Sequence, residues 1–431
     1  MGWPFFSRMW VGQMTDSQQG MSESRNGWVI GGVATAAVLI AAGAAVAVAP
    51  NWAGTDGAPA ATSPSASPSP SASTSPTAAP DFDYTATPAD NTEQVNPIAV
   101  PVVRAENAVI DSVALRAADG GEPVEGTLSE DDSVWTASER LAFGTDYEFE
   151  FVLADANGNT VSESQGFTTV MPANEADAAT YPLDGSTVGT GQPIEINFSE
   201  PVINRDEVES AITITGSSGQ TGAFHWLSDT TVRYRAEEFW APNSTITVDM
   251  QLFGVDYGNQ MIGNFDDQMT INTHNTRLAV VDNETKTMDV YIDGALERSF
   301  PITLGTEDWP STIGYHVVME QYESTKFTAE SIGLEPGDDA YYEPTVVNHA
   351  SRISNGGAFV HEALPDAQVA LGNFNVSHGC IGMSPEGAKY FYDTFGPGDV
   401  VEVRNTGYGP MFIWDGFGDW NTPWSEYSTQ P

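Results

Sequence analysis

From Tyr147 to Leu153 apolar and acidic residues alternate, with Tyr147, Phe149, Phe151 and Leu153 set against Glu148 and Glu150. A period of two marks a strand with one buried face. Asp155-Ala156-Asn157-Gly158-Asn159 then supplies the side chains and the glycine that close a turn. Much of this pattern returns roughly 100 residues later, at a spacing that suits one small β-domain per repeat. Leu128-Ser129 followed by Val134-Trp135 recurs as Leu227-Ser228 followed by Val232-Arg233-Tyr234. Gly144-Thr145-Asp146-Tyr147, ahead of a strand, is echoed by Asn243-Ser244-Thr245-Ile246.

The repeat predicts two tandem immunoglobulin-like sandwiches, over 95–172 and 173–273. Neither holds a cluster of catalytic residue types. His225, the one histidine in either, lies beside Trp226 and reads as a packing residue. From Arg277 the pattern changes. Leu278–Val281, Met288–Ile292 and Phe300–Leu304 read as strands, with turns at Asp282-Asn283 and Asp293-Gly294. Ala358-Phe359-Val360 and Val400–Val403 read as further strands. One helix is expected after Cys380, where Ser384 can cap it, Pro385 suits its first turn and Glu386 complements its positive end. It should run to about Phe395 and stop at Gly396-Pro397-Gly398. The fold class is therefore mainly β, with a third, β-rich domain over 274–405 that has a minor helical part.

The N-terminal pattern is of another kind. Trp28 to Ala49 is a run of 22 uncharged residues, which as a helix reaches roughly 33 Å and can cross a hydrocarbon core of about 30 Å. It is expected to be a single-pass transmembrane anchor, with Ala45-Val46-Ala47 and Ala47-Val48-Ala49 leaving signal cleavage open. Arg8 and Arg25 precede the run and no basic residue follows until Arg104, so 1–27 is expected on the cytoplasmic side. Residues 58–80 are Ala, Pro, Ser and Thr alone, which makes 50–94 a linker able to hold the later domains away from the bilayer. A formal charge of −44 with three lysines argues against nucleic acid or anionic lipid as a partner. The acidic loop Glu335 to Asp339 lacks EF-hand spacing.

Cys380 is the only cysteine, and it stands in Ser377-His378-Gly379-Cys380. A chain exported to an oxidising compartment has no partner here for a disulfide, and a thiol beside histidine suggests a nucleophile. An ordinary thiol titrates near 8.5, so a base must take its proton. His378 and His361 are the candidates. The segment between them is long enough to bring His361 back beside the thiol, and Gly379 allows the tight backbone in which the amides of His378, Gly379 and Cys380 converge on an oxyanion. A buried structural cysteine is the plainer alternative. A metal site using His361, His378 and Cys380 with His349 or His316 matches no common zinc spacing.

His361, fifteen further residues and then Ser377-His378-Gly379-Cys380-Ile381-Gly382 resembles the signature of the L,D-transpeptidases that cross-link peptidoglycan. The likeness takes in Gly356-Gly357-Ala358-Phe359-Val360-His361, Ser384-Pro385 with Tyr390-Phe391-Tyr392-Asp393, and Gly398-Asp399-Val400-Val401-Glu402-Val403. The Trp-rich stretch Asp415 to Trp424 resembles the C-terminal extension of the mycobacterial-type enzymes, here 406–431, which is expected to pack on the fold. The resemblance implies that Cys380 is the nucleophile and His361 its base, oriented by the carbonyl of Glu362. It implies that His378, Ser377 and Gly379 shape the pocket, and that Gly356, Gly357, Gly382, Tyr342 and Met319 lie along the path of the donor stem. It implies no cofactor and no metal, a tetrapeptide donor and an amine acceptor as partners, and β-lactams of carbapenem type as covalent inhibitors. Two departures stand out. Gly382 replaces an asparagine common in the family, and Glu362 puts a charge near the thiolate.

Overall fold

A computed structural model describes residues 82–429. The run Trp28–Ala49 and the segment 58–80 lie outside the described residues. Among the described residues no helix is long and apolar enough to cross a membrane.

Two sandwiches come first. In the first, the sheet of Tyr84–Thr87, Val102–Ala105, Val134–Ala137 and Gly126–Leu128 faces the sheet of Thr92–Val95, Thr160–Thr169, Asp146–Ala154 and Val109–Ala117. Tyr147, Phe149, Phe151 and Leu153 are its core, together with Trp135. This sandwich begins at Tyr84, inside the stretch expected to be linker. The Thr and Pro of 85–92 read as linker composition, but Tyr84 packs edge-on against Phe151, with ring centroids 5.2 Å apart. In the second sandwich, Ala178–Tyr181, Ile194–Phe198, Thr231–Ala236 and Gly222–Trp226 form one sheet. Thr187–Val188, Asp266–Thr273, Thr245–Gln251 and Ile212–Gly216 form the other. Val232 and Tyr234 enter its core much as Trp135 enters the first.

The third domain is a nine-stranded sheet. Its order is Gly314–Val317, Val400–Arg404, Arg277–Asp282, Thr287–Ile292, Ala295–Thr303, Ile381–Met383, Phe359–Glu362, Thr345–Arg352 and Glu320–Phe327. The strand expected at Phe300 starts five residues sooner, because Ala295 to Ser299 are all exposed and carry no apolar signal. Glu320–Phe327 escaped the apolar pattern for a similar reason, being an outer strand with no buried residue, while Thr345–Arg352 buries Val347, Ala350 and Ser351, which do not alternate. The helix Pro385–Thr394 forms as expected, with Ser384 Oγ accepting the Gly387 amide at 3.1 Å. Phe391 on this helix joins Val360, Ile381 and Met383 in the core.

The C-terminal residues tie the third domain to the second sandwich. Arg233, on a strand of that sandwich, is buried and donates from Nη1 to Ile413 O (3.0 Å), Gly416 O (2.7 Å) and the Asp419 carboxylate (2.9 Å). Its Nε meets Glu195 at 2.8 Å. Arg235 lies over the Tyr427 ring at 4.1 Å and over Trp420 at 4.8 Å. His225 stacks on Tyr427 at 4.6 Å, which is the packing role its sequence context suggested. Backbone bonds from Gly189 to Pro397 O and from Gly191 to Gly398 O, both 2.9 Å, close the junction. Replacing Arg233 by Ala leaves Asp419 buried without its counter-charge, a change that typically costs about 3–5 kcal/mol. Chemical denaturation should show that loss, and an unshifted midpoint would refute the role given to this pair.

Candidate active site

The Phe359–Glu362 strand runs parallel to Ile381–Met383, with His361 opposite Gly382 and Val360 opposite Ile381. Cys380 directly precedes the second strand. Because side chains alternate along a strand, Phe359 and His361 share a face with Cys380 and Gly382, which brings the imidazole to the same side as the thiol, one pleat away. His361 Nδ1 lies 2.7 Å from the carbonyl oxygen of Glu362. A carbonyl only accepts, so Nδ1 carries the proton and Nε2 keeps a free lone pair. The His361 ring is buried and meets Phe327 edge-on at 5.2 Å. Burial pushes its pKa down, against the smaller upward pull of the Glu362 carbonyl and carboxylate. It is therefore a neutral imidazole at neutral pH.

Cys380 is partly exposed as a residue, while its sulphur is packed deeply enough that burial pushes the thiol up to about 11, despite a backbone hydrogen bond from Phe359. Sγ also lies 3.6 Å from Gly357 O. At neutral pH such a thiol is protonated. The resting pair is therefore thiol and neutral imidazole.

A web of hydroxyls fixes the loop before the thiol. Ser377 Oγ donates to Cys380 O at 2.7 Å and accepts the Gly379 amide at 3.2 Å. The Gly379 amide is thus already engaged, and it leaves the expected trio of oxyanion donors. Gly379 has φ +114°, a conformation that suits glycine. Ser311, which nothing in the sequence singled out, is buried, donates to Gly379 O at 2.8 Å and accepts from Gly305 N at 3.0 Å. His378 sits between two rings, Trp309 at 5.4 Å and Tyr342 at 5.4 Å. Burial first, then the nearby Cys380 and Glu330 charges, raise the Tyr342 hydroxyl.

Gly356 donates its amide to Asp415 of the C-terminal extension, and Gly357 (φ +93°) turns its carbonyl to the thiol. Met319 lies further off, against that extension, where a Cβ on Gly416 would come within 2.8 Å of its sulphur. One expectation changes. Glu362 faces away from the thiol, since it alternates with His361, and its carboxylate lies 3.4 Å from His349 Nδ1 on the neighbouring strand. Among the described residues no three His, Cys, Asp or Glu side chains gather as a metal ion would need, and His316 is buried against Thr312 at 2.8 Å.

The strands thus bring an oriented imidazole to the same face as a thiol, and the comparisons with known proteins name the family. Residues 92–256 match a bacterial Ig domain, and residues 276–403 match the L,D-transpeptidase catalytic domain (YkuD). L,D-transpeptidase 2 of Mycobacterium tuberculosis is 34% identical over 343 residues, 80% of this chain and 83% of the relative. L,D-transpeptidase 5 of the same species is 31% identical over 358 residues, 80% of this chain and 77% of the relative. The chain belongs to the L,D-transpeptidase family, whose members are acyl-transferring enzymes. Among solved structures, LD transpeptidase LdtMt1 in complex with imipenem aligns with TM-score 0.47 and 27% identity, over 54% of this chain and 100% of that one. An L,D-transpeptidase from Mycobacterium smegmatis aligns with TM-score 0.45 and 30% identity, over 54% and 100%.

Two outcomes test this geometry. A Cβ at Gly382 would lie 2.8 Å from Thr303 Cγ2 and 3.3 Å from Ala363 Cβ. Gly382→Asn should therefore cost about 1–3 kcal/mol by overpacking, partly restored by Thr303→Ser; equal melting temperatures for parent and Gly382→Asn would refute it. The second outcome concerns pH. His361, its pKa lowered by burial, stays unprotonated through the ordinary histidine range, so the rate of thiol acylation should hold down to pH 6.5 and fall only below it. At alkaline pH it should climb again as the thiol ionises towards about 11. A rate half lost by pH 7 in a pH–rate profile would contradict the neutral pair.

Proposed function

We propose that this chain is a peptidoglycan L,D-transpeptidase that forms 3→3 cross-links through a thioester on Cys380. The observation that carries this reading is His361, its Nδ1 held by the Glu362 carbonyl and its Nε2 free on the face that bears the thiol. Sγ attacks the carbonyl of the third residue of a tetrapeptide donor while its proton passes to His361 Nε2. The imidazolium then protonates the departing D-alanine amine, leaving a thioester and a neutral base. A side-chain amine of a second stem attacks the thioester and yields its proton to His361, which returns it to the sulphur. Every proton is accounted for by one histidine.

Backbone groups of Gly356, Gly357 and the Ser377–Cys380 loop are the donor-binding elements in this reading, with Tyr342 and His378 forming one wall. Glu362 gives no reason to regard the scaffold as inert, because its side chain lies on the face of the strand opposite the thiol, with its carboxylate 3.4 Å from His349 Nδ1. The uncharged run Trp28–Ala49 and the Ala/Pro/Ser/Thr segment after it support an anchored protein whose catalytic domain works outside the membrane, within reach of the wall.

Intact-protein mass spectrometry on the full chain in isolated membranes tests both parts. A carbapenem should add its mass to the parent and not to Cys380→Ala, which should stay folded yet form no cross-linked dimer from tetrapeptide stems. Cross-linking by Cys380→Ala would overturn the mechanism. Release of the stem's last residue without amine transfer would make the protein an L,D-carboxypeptidase. Acylated protein recovered only in the soluble fraction would overturn the anchor.

A further inference from the structure

The C-terminal extension carries a feature that the chemistry of Cys380 leaves unused. Phe412 and Trp414 stack with centroids 4.6 Å apart and planes within 6°, yet they remain 59% and 64% exposed. Large aromatics left together in water mark contact surfaces. This pair is also rigidly presented. It stands on a turn closed by the Asp415 amide bonding to Phe412 O at 3.1 Å. Met411 is buried at the base of the turn, Arg233 holds Ile413 O from below, and Asn355 Nδ2 donates to Trp414 O at 3.2 Å. Each ring fixes the other, so a ligand meets an outer face that is already ordered and loses little affinity to ordering it.

Position and charge indicate what that face receives. Asn355 bonds Trp414, Gly356 bonds Asp415, and Gly357 turns its carbonyl to the thiol. Three consecutive residues thus link the aromatic pair to the sulphur. A donor stem with its third-residue carbonyl at Cys380 has three residues between that carbonyl and its sugar, at most roughly 11 Å of extended chain. The saccharide must therefore lie at the rim of the site. An uncharged glycan approaches a surface of formal charge −44 without repulsion, whereas an anionic lipid surface does not. The apolar C–H face of a pyranose ring fits a flat indole. We infer that Phe412 and Trp414 form an outer subsite that stacks on a sugar of the glycan strand and keeps the attached stem in register. The choice of glycan rests on the transpeptidase reading above.

The test uses the full chain and uncharged N-acetylglucosamine oligomers as the glycan strands. Trp414→Ala should bind these strands about tenfold more weakly, in line with the loss of one aromatic stacking contact. Trp414→Tyr should keep most of the affinity, and carbapenem acylation of Cys380 should proceed at the parent rate in both. Unchanged glycan affinity in Trp414→Ala would overturn the subsite. So would an equal loss of acylation, which would make the ring a prop for the Gly356 loop, or Trp414-dependent binding to phospholipid vesicles in place of glycan. Cys380→Ala should bind the strands like the parent. Glycan binding that persists in a chain which no carbapenem acylates would sink the reaction and leave the subsite standing.

Discussion

A single buried guanidinium connects the scaffold to the chemistry. Arg233 belongs to the second sandwich, yet three of its hydrogen bonds end on the C-terminal extension, at Ile413, Gly416 and Asp419. A buried arginine is tolerable only when its donors are met, and a carboxylate with two carbonyls on one side and Glu195 on the other meets them. The consequence travels. Between Ile413 and Gly416 the extension is held from below, and Asp415, in the middle of that span, takes the amide of Gly356. The carbonyl of the next residue, Gly357, faces the thiol. An immunoglobulin-like domain without catalytic residues of its own thereby helps set the wall of a catalytic groove.

The thiol and its base are both kept uncharged by the same burial. For Cys380 it makes the thiolate rare, and for His361 it makes the imidazolium rare. A preformed ion pair would gain Coulomb attraction but lose hydration at both ends, and at this depth the second effect wins. Reactivity is then drawn from geometry. Nδ1 is spent on a backbone carbonyl, so the one basic nitrogen points where a proton must go. The nearest carboxylate in sequence, Glu362, is turned to the other side of its strand towards His349, so its upward pull on His361 stays smaller than the effect of burial.

Much of this was legible in the sequence, and the limits have physical causes. The alternation of Tyr147 to Leu153 announced its strand because one face is core and the other is water. The helix after Cys380 announced itself through Ser384 and Pro385, residues whose roles are local. Ser311 gave no signal, since a buried serine that bonds the Gly379 carbonyl from 68 positions away looks like any other serine. The outer strand Glu320–Phe327 gave none either, having no buried residue to create a pattern. The contact of Asp415 with Gly356 joins positions that only the folded chain brings together. Glu362 adjoins His361 in sequence but not the thiol in space, because on a strand neighbouring residues face opposite ways.

Gly382 shows how packing can decide what a residue is for. It lies between His361 on one neighbouring strand and Thr303 on the other, in a row across three strands. The Thr303 methyl occupies the volume that a side chain at 382 would need, and its hydroxyl is committed to Phe374 O at 2.9 Å. An amide side chain there would need Thr303 and Ala363 to give way. The glycine is therefore half of a two-residue packing solution whose other half is Thr303. Beside the thiol, the backbone groups of the 377–380 loop are held from within the protein, the Gly379 amide and Cys380 carbonyl by Ser377 and the Gly379 carbonyl by Ser311. Those groups cannot be removed by substitution, only displaced, so the hydroxyls of Ser311 and Ser377 that hold the loop in place govern the polarity of the site from outside it.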